Sequence, residues 1–172
     1  MKLRFPESKI EHWAQKYSYA RNEGELLALH EAVRAVGHLN KPQLRLLAQW
    51  KSPRSAPYIE NNSEGFIREI THFALGTIDE RARIEALTLL DGVLWPTASV
   101  ILHVFHVERY PILDFRALWS VGMEVPSQFT FAFWLPYVKY GRSVAQRNGV
   151  TMRVLDRALW QFSNDNQPKG GT

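Results

Sequence analysis

Apolar residues recur at intervals of three and four along most of the chain, and this periodicity constrains the fold more than any other feature. One such run comprises Leu26, Leu29, Val33 and Val36, which would form a single face of a helix. No segment shows the strict alternation of apolar and polar residues that is typical of a strand. The pattern predicts an all-α fold.

The length of the chain sets the number of domains that we expect. It has 172 residues, of which 45% are hydrophobic, and this is enough for one substantial core. We predict a single compact helical domain over residues 1–163. The remaining residues, 164–172, are polar and rich in glycine, and they are expected to form a flexible tail.

Polar residues and prolines predict where several helices begin. Ser8 with Glu11, and Thr77 with Glu80, have the spacing of a capping box. Pro42 fits the first turn of a helix, where its missing N–H costs nothing. Further helices are expected to start at Ser63 and Thr151, whose hydroxyl groups can cap them, while residues 51–62 are expected to form a loop.

Composition excludes several kinds of site. The chain contains no cysteine, so it has no disulfide and no thiolate metal ligand. It has no stretch near the roughly 20 apolar residues of a membrane span and no apolar signal segment at its start, so we expect a cytoplasmic protein that does not enter membranes. The net charge of +4 permits binding to a polyanion without requiring it.

The most informative stretch reads LDGVLWPTASVIL over residues 90–102 and YPILDFRAL over residues 110–118. It resembles the helix-hairpin-helix DNA glycosylase superfamily, in which a leucine, a Gly-Val-Gly hairpin, Thr-Ala and an apolar helix precede a catalytic aspartate. The positions that agree with this pattern are Leu90, Gly92, Val93, Thr97 and Ala98. Asp114 lies at the spacing of the catalytic aspartate, so the resemblance implies a glycosylase-like fold that contains this motif.

The resemblance also implies that double-stranded DNA is the partner. In such a hairpin, backbone N–H groups at the start of the second helix attract a phosphate without reading any base. The residues implied in this contact are Gly92, Val93, Leu94, Thr97 and Ala98. Cations that are candidates for further phosphate contacts are Lys51, Arg54 and Arg116, followed by Lys139, Arg142 and Arg147, although each such charge is more often a solvated surface group.

The same resemblance implies a reaction mechanism. Family members that cut the DNA backbone use a lysine nucleophile, and Pro96 occupies that position here. We therefore expect a monofunctional glycosylase in which Asp114 stabilises the sugar cation and assists the attacking water. The base would be flipped into an aromatic pocket whose candidate walls are Trp95, Trp134 and Tyr137, with Trp13 as a further one.

No cofactor and no metal are expected. His103 and His106 lie three residues apart on a predicted helix, but the sequence offers them no clear third ligand. The run from Leu155 to Trp160 echoes the run from Leu113 to Trp119. Its Asp156 lies inside a predicted helix, so a salt bridge or a solvated face accounts for it better than a second site.

Alternative interpretations remain open at this stage. Asp114 can be an ordinary helix N-cap, a role compatible with catalysis. Leu94 stands where the family has its second glycine, which favours a DNA-binding module that has lost catalysis. A third alternative is a protein-interaction scaffold in which the hairpin is only structural. The sequence does not indicate an oligomeric state, and a monomer is assumed.

Overall fold

The structure, a computed structural model, describes residues 1–19 and 24–168. Every regular element within those ranges is a helix, so the predicted all-α fold is confirmed. The chain forms two compact units, a central unit of residues 20–109 and a terminal unit of residues 1–19 with 110–172. The single domain over residues 1–163 stays a prediction, because two compact units do not test whether either folds alone.

Helix α7 is the core of the central unit. The helices described in this unit are α2 (Gly24–Ala28), α3 (His30–Val36), α4 (Lys41–Lys51), α5 (Glu64–Gly76), α6 (Glu80–Leu87) and α7 (Trp95–Phe105). Helices α3, α4 and α6 all pack against α7, and α5 packs against α6. Every side chain from Thr97 to Leu102 is therefore buried, as expected for a helix that is apolar on all its faces.

The terminal unit is organised around its last helix. Its helices are α1 (Ile10–Gln15), α8 (Phe115–Ser120), α9 (Phe131–Arg147) and α10 (Met152–Asn166), and α10 packs against the other three. Helix α10 continues to Asn166 because its buried face reaches Ser163. The helix thus includes the beginning of the segment predicted as a tail, and residues 169–172 lie outside the described part of the chain.

Several helix starts agree with the sequence signals. Pro42 lies in the first turn of α4, where Asn40 and Gln43 form a reciprocal capping box. The hydroxyl groups of Ser63 and Thr151 cap α5 and α10 as predicted. These caps are confirmed because each side chain accepts a hydrogen bond from a backbone N–H that the helix leaves unpaired.

Other local predictions were wrong. Helix α1 begins at Ile10 after a short 3-10 turn, and no side chain caps it, so Ser8 does not form a capping box. The cap of α6 is Asp79, whose carboxylate accepts the Ala82 N–H at 2.7 Å, rather than Thr77. The predicted loop at 51–62 contains a 3-10 helix over Ala56–Asn61. Tertiary packing selected among neighbouring polar residues that the sequence alone ranks equally.

No helix in the described ranges is long and apolar enough to cross a membrane.

Candidate nucleic-acid interface and candidate catalytic aspartate

The turn between α6 and α7 is built around Gly92. This glycine has φ +81°, a left-handed conformation that costs any other residue about 1–2 kcal/mol. A β-carbon at this position would lie 2.7 Å from the Ser55 carbonyl oxygen and 3.0 Å from the Ile59 side chain. Glycine is therefore required twice over, by the backbone angle and by the close approach of a neighbouring segment.

Asn62 holds the same turn in place. Its side-chain amide donates to the Asp91 carbonyl at 3.0 Å, and its side-chain oxygen accepts the Asp91 N–H at 2.9 Å. Asn62 is itself buried, so both bonds are partly shielded from water. In the sequence, Asn62 is only the last residue of a predicted loop, because a contact across 29 residues leaves no local signal.

Most of the residues that match the family motif pack inside the central unit. Val93 is 1% exposed, Thr97 2% and Ala98 0%, so a DNA contact at these positions would have to use the backbone. Leu94, by contrast, is 69% exposed and takes the N-cap position of α7 with φ −97° and no side-chain cap bond. Pro96 in the first turn has no N–H, and the helix start therefore offers one backbone donor fewer than usual.

The predicted cations Lys51 and Arg54 lie in the segment that packs on this turn. Lys51 is half-buried and Arg54 is exposed. The backbone oxygen of Ser55, which follows Arg54 directly, is the atom that a β-carbon on Gly92 would meet. The Arg54 guanidinium has no hydrogen-bond or ion-pair partner among the described residues, so its charge is available to an external anion.

Asp114 lies in the terminal unit and is the N-cap of α8. Its carboxylate accepts the Arg116 N–H at 2.9 Å, and its backbone is extended, with φ −140° and ψ 141°. The residue is half-buried, neither sealed beneath apolar neighbours nor fully solvated. The predicted capping role is thus observed, in a residue that is half-buried.

The backbone just before Asp114 is held from two sides. The Ile112 N–H donates to Asp156 at 3.2 Å, and the Ile112 carbonyl accepts the Tyr137 hydroxyl at 2.9 Å. Asp156 also accepts a bond from Arg153 at 2.6 Å and is 6% exposed. Of the two accounts given for Asp156, the salt bridge is confirmed and the solvated face is wrong.

Burial raises the pKa of the Tyr137 phenol well above its usual range, and the negative charges of Asp156 and Asp114 add to this rise. The hydroxyl consequently stays protonated at neutral pH and serves as a hydrogen-bond donor. Tyr137 is 0% exposed, as is Trp134, which stacks on Tyr110 at 5.7 Å between ring centroids. Neither ring that we predicted for the base pocket borders open space in this structure.

The other candidate pocket residues have different surroundings. Trp95 is half-buried at the start of α7. Trp13 is also half-buried, and it packs edge-on against Phe5 and Phe162 in the terminal unit. These contacts identify Trp13 as part of a local aromatic cluster that fastens α1 to α10.

The remaining candidate cations and metal ligands also have identified surroundings. Arg147 donates from Nε to the Glu7 carboxylate at 2.9 Å, so its charge is largely compensated. The Arg142 guanidinium lies 4.5 Å from the ring centre of Tyr110.

Burial, together with the charge of Arg83, lowers the pKa of His106. Among the described residues there is no cluster of three or more side chains able to hold a metal ion.

Arg116 has an unusual environment. Its guanidinium carbon lies 5.1 Å from the ring centre of Phe115 and 5.2 Å from that of Trp160. Both distances fall within the range of a cation–π contact. Arg116 was predicted as a possible phosphate contact, whereas no sequence pattern indicated that Phe115 and Trp160 lie beside its guanidinium.

Comparison with protein-family models, with curated proteins and with solved structures found no match to this chain.

Proposed function

We propose that this protein binds double-stranded DNA and removes a damaged or modified base by hydrolysis, with Asp114 as the catalytic residue. The observation that carries the proposal is the hydrogen bonding and partial burial of Asp114. Its carboxylate is oriented by the Arg116 N–H while the residue remains half-buried. A carboxylate held in this way can stabilise a neighbouring sugar as it becomes cationic.

The chemistry follows from the side chains present. The bond between C1′ of the sugar and the base nitrogen breaks, and its electron pair leaves with the base. A water oxygen then bonds to C1′, and Asp114 accepts the proton that the water loses. This proton then passes to the departed base. Pro96 at the position of the family's lysine supports this route, because it leaves no amine there to attack the sugar.

Docking of DNA is proposed at the turn around Gly92. The start of α7 has no side-chain cap, so its backbone donors are not taken up by Leu94. Arg54 adds an uncompensated charge on the segment that contacts Gly92. Such contacts would bind phosphates without reading sequence, so we expect the affinity for DNA to fall steeply with salt. The cytoplasm is the compartment that we propose.

The decisive experiment is the release of free bases from a panel of modified duplex DNAs, measured by mass spectrometry. Asp114→Asn should lower the release rate by at least about a hundredfold, because it removes the negative charge. Asparagine also caps helices well, so folding and DNA affinity should be retained. Release by this variant at the wild-type rate would refute the role of Asp114.

A matched pair of variants tests the DNA interface. Arg54→Ala should weaken binding several-fold and reduce the slope of log affinity against log salt by about one, because one phosphate contact is lost. Arg45 is another exposed arginine of the same unit, but it is paired with Glu60 at 3.0 Å. Arg45→Ala should therefore leave both the affinity and the slope unchanged.

A DNA-binding module without catalysis is the second candidate, and the burial of Trp134 and Tyr137 favours it. A pocket that had lost its function could close around these rings. This candidate predicts the same salt-dependent binding to duplex DNA, but no free base from any substrate in the panel.

A further inference from the structure

The aromatic ring that is open to solvent beside Asp114 is that of Phe115. It is the first residue of α8 and is 52% exposed. Covering the exposed part of this ring would gain part of the roughly 1.5–3 kcal/mol that complete burial of a phenylalanine side chain contributes. The rings that sequence reasoning assigned to a base pocket, Trp134 and Tyr137, have no exposed surface.

Arg116 links Phe115 to a second ring, that of the half-buried Trp160. Its guanidinium lies over both Phe115 and Trp160, at 5.1 and 5.2 Å from the ring centres. Within the described residues its side chain has no carboxylate or other hydrogen-bond acceptor as a partner. A cation that is ordered by two aromatic rings but has no counter-ion is well placed to bind an external anion.

The Trp160 ring packs against two tyrosine rings. Tyr17 meets it edge-on at 5.4 Å and Tyr19 at 5.2 Å, with interplanar angles of 77° and 72°. Two more guanidinium groups, those of Arg153 and Arg157, lie 5.3 and 5.5 Å from the Tyr17 ring. Arg153 is paired with Asp156, so its charge is compensated, and this part of the terminal unit is rich above all in aromatic rings.

We propose that Phe115, Arg116 and Trp160, here called the α8 platform, bind an unpaired DNA base and the phosphate next to it. The π-face of a base can stack on the exposed Phe115 ring. The neighbouring phosphate can form an ion pair with the Arg116 guanidinium. The inference rests on the proposed function in naming DNA as the partner, and it replaces Trp134 and Tyr137 as the base-contacting residues. Duplex DNA without an unpaired base should gain little from this surface.

The probe is a fluorescein-labelled duplex that carries one unpaired 2-aminopurine, compared with the same duplex fully paired. Binding is measured by anisotropy at one low salt concentration, and stacking by quenching of the 2-aminopurine. Wild-type protein should bind the unpaired probe more tightly and quench it. Phe115→Ala should weaken this binding about tenfold and abolish the quenching, with little change for the paired duplex.

Phe73 provides the matched control, since it is 49% exposed and lies on α5 of the central unit. Phe73→Ala should bind both probes as the wild type does. Phe115→Leu preserves an apolar side chain without a π-face, so it should lose the quenching even if the alanine variant proves unstable. Equal binding and quenching by wild type and both Phe115 variants would overturn the proposal, and so would an equal loss in Phe73→Ala.

The outcomes separate this proposal from the proposed enzyme. If the Phe115 variants no longer bind the unpaired probe but no DNA in the panel releases a base, the proposed binding role of the α8 platform is supported and the proposed glycosylase activity is refuted. If Asp114-dependent release occurs while the Phe115 variants bind normally, the glycosylase stands and the platform is wrong. If the wild-type protein binds neither probe, both proposals fall.

Discussion

The turn before α7 and the turn before α8 both introduce a helix that carries candidate functional residues, yet they are built in opposite ways. At the first turn, Gly92 and Asn62 fix the backbone, and the helix begins at an exposed leucine with no cap. At the second turn, the candidate catalytic residue Asp114 is itself the cap. Among the residues that match the pattern, Val93, Thr97 and Ala98 are buried, whereas Gly92 and Asp114 are both half-buried, so a structural role does not require complete burial.

The largest effect that we predict breaks the first turn. Gly92→Ala should destabilise the fold by about 3 kcal/mol, because it combines an unfavourable left-handed backbone with a clash against the Ser55 carbonyl. Gly149 has φ +64° but open space around it, so Gly149→Ala should cost only about 1 kcal/mol. Urea unfolding of both variants gives the difference, and equal losses would show that the close approach at Gly92 costs nothing.

The next effect concerns the clamp on the same turn. Asn62→Ala should cost about 2 kcal/mol, because the backbone N–H and carbonyl of Asp91 lose their partners in a partly buried site. The neighbouring Asn61 is exposed, so Asn61→Ala should change stability by less than about 0.5 kcal/mol. Faster hydrogen exchange of the Asp91 amide should accompany the Asn62 substitution only, and unchanged exchange there would argue against the clamp.

Exchanging the capping properties of the two turns tests the contrast directly. Asp114→Ala should destabilise by about 1 kcal/mol through loss of the α8 cap, whereas Asp114→Asn should cost only a few tenths. Leu94→Ser should stabilise by about 0.5–1 kcal/mol, since it supplies the cap that α7 lacks. Thermal and urea unfolding check all three variants, and destabilisation by Leu94→Ser would mean that the exposed leucine makes a contact worth more than a cap.

The smallest effect is a dependence of stability on pH in the terminal unit. Hydrogen bonds from Arg147 and then Asn148 lower the pKa of Glu7 to about 2 from 4.5. Since the folded-state pKa is depressed, this contribution to stability is complete above pH 4.5 and is lost as the pH falls towards 2. The side chains of Glu7 and Arg147 are both more than a third exposed, so we expect their interaction to contribute less than about 1 kcal/mol to the free energy of unfolding. Glu7→Gln should flatten the curve of unfolding free energy over that range, and an unchanged slope would contradict the prediction.

Local signals predicted the helical class, the caps at Ser63 and Thr151 and the start of α8 after Asp114, because each depends on residues only a few positions apart. They failed to select Asp79 over Thr77, since both are competent caps and packing decides between them. The resemblance to the glycosylases, rather than a local signal, gave Trp134 and Tyr137 as candidate pocket walls, and the structure buries both rings. An aromatic run shows the same sequence pattern whether its rings line a cavity or fill a core.

Periodicity and capping chemistry therefore determined by themselves that this chain is helical and that Asp114 begins a helix. Only the tertiary structure decided that Asn62 clamps the Gly92 turn, that Asp156 is buried against the Ile112 N–H, and that Phe115 is exposed beside Arg116. The physical reason is that burial and hydrogen-bond partnership join residues far apart in the chain. Helical spacing describes only neighbours within a turn or two.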